Sequence, residues 1–139
     1  MTRGIAATTI ALATALLVMS LAYSSEGPKK AGKDPSVGKL RHVVVFKFKD
    51  GTAPAKVQET IDAFAALPEK IDSVVDFEWG LNNSPEGHDQ GFTHVFLVTF
   101  EDEAGRDKYL PHPAHKAFVK LLLPHLEKVF VVDYFADGG

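Results

Sequence analysis

Between Tyr109 and Phe118 the chain reads YLPHPAHKAF, which sets His112 and His115 three residues apart and places the phenol of Tyr109 just ahead of them. Imidazole is the side chain whose ordinary pKa lies closest to neutrality. In an apolar recess it stays uncharged and can accept a proton near pH 7. Beside a phenol able to hold an oxygen that gains charge, such a ring could take a proton from carbon next to a carbonyl. His42, in LRHVVVFKFK over 40–49, and His94, in THVFLVTFE over 93–101, could add to such a site. A metal centre is the competing chemistry, since His112 and His115 have a spacing that could share a helical face. Pro111 and Pro113 argue against it, because they put His112 outside the helix, and no neighbouring carboxylate completes a set. No metal and no cofactor is expected. The chain has no cysteine, so thiolate chemistry and disulfides are excluded.

Alternation of apolar residues predicts strands over 40–49, 74–81, 93–101 and 129–135. Helical spacing predicts one helix from Pro54 to Leu67, ended by Pro68. A second helical stretch follows Asp102 and is interrupted at Pro111-His112-Pro113. It resumes as Ala114, Ala117, Phe118, Leu121, Leu122. Pro111 should end the first segment and bias Leu110 away from helical geometry, whereas Pro113 suits the first turn of a new helix. The order β-α-β-β-α-β is the ferredoxin-like arrangement of the α+β class.

His42 shares a strand face with Leu40, Val44, Phe46 and Phe48, the face expected to meet the helices. His115 borders the stripe that contains Phe118. The other sheet face is also apolar and is expected to carry Val43, Val45, Val95, Leu97, Val129 and Val131. Two helices cover only one face of such a sheet, so a second copy is expected on the other, giving a homodimer.

The N-terminal segment differs from the rest. Arg3, an apolar run from Ile5 to Ala22 and small residues at Ser24 and Ser25 read as a cleavable signal peptide over 1–24, hence an exported protein. The alternative is an uncleaved membrane anchor, because the run is nearly long enough to span a bilayer. Residues 25–39, rich in Gly, Pro, Ser and Lys, read as a flexible linker. Among 139 residues, 15 Lys and Arg against 18 Asp and Glu leave a formal charge of −3 with no basic stripe. Nucleic acid is therefore not an expected partner, nor is a membrane once the signal is removed.

LRHVVVFKFKDG, GFTHVFLVTFED, YLPHPAHKAF and VFVVDYF, in this order and spacing, resemble the Dabb family of stress-responsive dimeric α/β-barrel domains. The resemblance covers 40–136. It implies a ferredoxin-like fold whose sheets close into a dimeric α/β barrel. In members that act as polyketide cyclases, the first-strand His and the second His of the His-Pro-Ala-His stretch work with nearby tyrosines. By motif, these roles fall on His42, His115 and Tyr109. A pocket tyrosine of those members corresponds to Phe64 here, so one hydroxyl is lost and the same cyclisation is not implied. Phe64, His94, His112 and Phe118 are expected to line the pocket. The implied ligand is a small apolar or keto compound, either held without reaction or deprotonated next to its carbonyl. A purely structural dimer is the remaining alternative.

Overall fold

The structure, a computed structural model, describes residues 35–138. The expected signal over 1–24 and residues 25–34 of the expected linker lie outside the described residues. The last linker residues are bonded chain. Gly38 donates its N–H to the Ala136 carbonyl at 2.7 Å, and Ala136 donates back to Lys39 at 2.9 Å. Main-chain pairing of this kind leaves no trace in apolar periodicity, which is why Gly38 and Lys39 read as linker.

The elements are β1 (Leu40–Phe48), α1 (Pro54–Ala65), β2 (Val74–Leu81), β3 (His94–Phe100), α2 (Glu103–Tyr109), α3 (Pro113–Leu122) and β4 (Leu126–Phe135). The four strands form one antiparallel sheet in the order β2-β3-β1-β4. This is the ferredoxin-like topology expected from the sequence. β4 starts three residues earlier than apolar alternation indicates. In its opening residues Leu126 pairs with Phe48 and Lys128 with Lys47, with a register shift between the two pairs, and Lys47 donates to Glu127 at 2.7 Å across the two strands.

The core lies between the sheet and the helices. Leu40, Val44 and Phe46 of β1, Phe96, Val98 and Phe100 of β3, Ile61 and Phe64 of α1, and Phe118 and Leu122 of α3 are all buried there. Their phenyl rings interlock, with Phe64 centred 4.4 Å from Phe118 and 4.6 Å from Phe96. Burying a side chain of this size stabilises the fold by about 1.5–3 kcal/mol. His42 lies on the same face and is buried with them.

Strand register corrects two face assignments. Val131 pairs with Val44 and Val129 with Phe46, so both look toward the helices and not toward the open face. Every residue of VFVV is apolar, so alternation gives no parity there, and a shift of one residue exchanges the faces. The open face instead carries Phe130, Val132 and Tyr134, opposite Val45, Val43 and Arg41, with Val95 and Leu97 of β3 alongside. Phe130, Val132, Tyr134 and Val95 are exposed. In β2 a register shift between Val74 and Asp76 takes Val75 out of the alternation that would align it with Phe77 and Trp79.

Candidate functional site

The break at 110–113 builds the site. α2 is opened by Asp102, whose carboxylate accepts from the Gly105 N–H at 2.9 Å. The helix ends at Tyr109. Leu110 keeps helical angles (φ −57°, ψ −45°), despite the proline that follows, because its N–H still reaches the Arg106 carbonyl at 3.0 Å. α3 begins at Pro113, and His112 is its N-cap, its Nδ1 accepting from the Ala114 N–H at 3.1 Å. In an unbroken helix that N–H would belong to Leu110. Here the Leu110 carbonyl accepts from the His115 ring instead, at 2.9 Å. A carbonyl can only accept, so Nδ1 of His115 carries the proton and the Nε2 of the neutral ring is a free lone pair.

His42 is fixed in the same sense by other means. Its Nδ1 lies 2.6 Å from Oδ1 of Asp133, and the second carboxylate oxygen of Asp133 accepts from Arg106 Nη1 at 3.1 Å. The carboxylate is an acceptor, so Nδ1 of His42 is the donor and its Nε2 is the free position. Asp133 sits directly opposite His42 in the β1–β4 pairing. The apolar alternation of β4 does not single out this acid. The parity of β4 relative to β1 is the signal that assigns it to His42.

Tyr109 is wholly buried between the two imidazoles, its ring centred 6.0 Å from His42 and 4.4 Å from His115. Its hydroxyl is buried with no hydrogen-bond partner among the described residues. Burial pushes its pKa up, so it remains a proton donor at any physiological pH. Burial is also the largest influence on the half-buried His115, lowering its pKa against the opposing Leu110 hydrogen bond, and His42 and His112 lower it further.

These groups line one cavity of about 220 Å³. His42, Tyr109 and His115 share it with Phe64 and Phe118. His94 and His112 do not line it. His112 is occupied in capping α3. His94 has the expected parity but pairs with Phe46, four residues along β1 from His42. At about 3.4 Å per residue that is about 14 Å along the strand. It packs on Phe48, and Thr93 lies within hydrogen-bond distance of its ring. Among the described residues, no group of three or more His, Cys, Asp or Glu side chains is arranged to hold a metal ion.

The lowered pKa of His115, and that of His94, which burial also depresses, carry a stability consequence. Unfolded chains bind more protons than the fold between the lowered values and the ordinary value of about 6.5. The stabilisation is therefore complete above about pH 6.5 and is lost as pH falls through the lowered values. Urea unfolding at about pH 7 and about pH 5 is expected to show lower stability at the acid point, with a smaller difference in His115→Gln.

A model of the family described as stress responsive A/B barrel domain matches residues 40–136. The chain is 41% identical over 97 residues to a stress-response A/B barrel domain-containing protein of Arabidopsis thaliana, across 70% of this chain and 89% of that protein. It is 32% identical over 95 residues to olivetolic acid cyclase of Cannabis sativa, across 68% of this chain and 94% of the cyclase. A solved dimeric protein of unknown function with a ferredoxin-like fold, from Bacteroides fragilis, matches with a TM-score of 0.58 and 28% identity. That match covers 70% of this chain and 96% of that one.

Proposed function

The chain belongs to the stress-responsive A/B barrel domain family, and from that membership we propose that it binds a small, mostly apolar carbonyl compound and removes a proton from the carbon next to the carbonyl. The observation that carries the reading is the pair of imidazoles with fixed tautomers around a buried, unpartnered phenol. Nε2 of His115 takes the proton, the C–H electron pair becomes the enolate double bond, and the carbonyl π pair moves onto oxygen. Once a bound ligand displaces the side chains that cover it, the Tyr109 hydroxyl, otherwise unpartnered, donates to that oxygen as its charge grows. His42, held by Asp133, offers a second acceptor for an enol hydroxyl. Among relatives, olivetolic acid cyclase bears a name consistent with carbonyl chemistry. Phe64 supplies no hydroxyl on α1, so the ring closure named there is not carried over.

The test is hydrogen–deuterium exchange of alkyl and aryl ketones in D₂O, followed by proton NMR. Saturable exchange above the buffer rate is expected. Saturable binding without exchange would make the domain a binding module instead.

The exposed strip of Phe130, Val132, Tyr134 and Val95 supports pairing of two copies through the open sheet face, as does the dimeric relative. Residues 1–24 carry the reading of export.

A further inference from the structure

Neither Asp133 nor Arg106 lines the cavity, yet both bear on the nitrogen that His42 shows to it. A carboxylate 2.6 Å from an imidazole does two things. It fixes a proton on Nδ1, and its charge draws a second proton onto Nε2, because a nearby anion favours the charged ring. The second effect would turn the acceptor that the site presents into a donor. In this chain the other carboxylate oxygen accepts from Arg106 Nη1 at 3.1 Å. A guanidinium keeps its charge at any physiological pH, and the hydrogen bonds to Asp133 and then to Asp107 raise its pKa further. Asp107 holds it from the outer side, accepting from Nε at 3.3 Å and from Nη2 at 3.1 Å. Arg106 and Tyr109 are three residues apart on α2, so one helix face brings the guanidinium to β4 and the phenol to His42. The ion pair is largely withdrawn from water, with the Arg106 and Asp133 side chains 23% and 24% exposed. Salt and solvent therefore screen it less than a surface pair.

We propose that Arg106 is a positioning residue for the His42 ring: it holds the Asp133 carboxylate against Nδ1 and cancels that carboxylate's pull on a second proton, so that Nε2 stays a lone pair near neutral pH. The charge count gives the reason. With Arg106 in place the carboxylate is already balanced, and a neutral ring completes the cluster. Without it, the balanced state is imidazolium beside carboxylate. The other titratable groups around the ring are Tyr109 of α2 and His115 of α3, both neutral near pH 7. From α1 the cavity receives Phe64, which brings no charge. The consequence for turnover rests on the carbonyl reading above, whereas the state of the ring does not.

Long-range proton–nitrogen NMR of the histidine rings in the isotope-labelled full chain reads that state directly. Near neutral pH the wild type should show His42 with one protonated and one bare nitrogen. In Arg106→Gln, and in Arg106→Met, both nitrogens should be protonated. Arg106→Lys, which returns the charge, should restore the bare nitrogen. So should Arg106→Gln combined with Asp133→Asn, which removes the pull. A merely structural Arg106 would lower stability and leave the ring pattern alone. A pattern unchanged in both Arg106→Gln and Arg106→Met, or an imidazolium already present in the wild type, overturns the proposal. An imidazolium that persists in Arg106→Lys overturns the charge argument. In ketone exchange, the acid limb of the rate should move up by about 1 pH unit in Arg106→Gln, the effect of an unbalanced neighbouring charge. Exchange absent from every protein, with the ring responding as stated, removes the carbonyl reading and leaves Arg106 in its role.

Discussion

Replacing His115 by glutamine is expected to lower ketone exchange by about 10²–10⁴-fold, the usual contribution of a positioned acid–base group. Glutamine retains donor and acceptor capacity and comparable bulk, and it can still bond the Leu110 carbonyl that His115 engages at 2.9 Å. What it lacks is a nitrogen that takes a proton near neutrality. The loss should fall on kcat with KM little changed, because the cavity wall survives. Ketone titration of the variant separates the two terms, and the circular dichroism spectrum should match the wild type. A drop below tenfold would assign the base elsewhere, and His42, whose Nδ1 is fixed by Asp133 at 2.6 Å, would be the next candidate.

Phe64→Ala is expected to be the most damaging core change. The ring is 2% exposed and packs on Phe46, Phe77, Phe96 and Phe118, with centroids 4.4–6.0 Å away. Removing a phenyl group from such surroundings costs about 3–5 kcal/mol, part lost burial and part the cavity left behind. For a domain of this size the thermal midpoint should fall by about 12 °C or more, read by scanning calorimetry. Because Phe64 lines the ligand cavity as well as the core, the variant should also bind bulkier ketones than the wild type. A loss below about 1 kcal/mol would mean that the neighbouring rings collapse into the space.

Much of this architecture is legible in the sequence, and the reasons for the exceptions are physical. β2 reads correctly from Val74 to Leu81 because polar residues, Asp72 and Ser73 before it and Asn82 and Asn83 after it, border it, whereas the start of β4 is hidden because Glu127 and Lys128 present charge within the strand and the register shifts there. Val129 and Val131 defeat parity because their neighbours are apolar too. His42 and His115 stand out because each interrupts or borders an apolar face, and Tyr109 because it precedes the prolines. Asp133 does not stand out. Its importance lies in facing a residue 91 positions away, and only strand register reveals that pairing. His112 shows the opposite lesson, since a residue just before a helix-opening proline occupies the N-cap, and that position accounts for its ring without any ligand.

The interrupted helix places the choice of nitrogen at His115 under main-chain control. An oxygen of the peptide backbone decides which ring atom is presented, and no side-chain substitution in the hollow alters the chemistry of that oxygen. The walls can therefore be recut for ligands of different outline while the reactive atom keeps its identity. Repair of the break would do the reverse, leaving the walls intact and returning the oxygen to the helix.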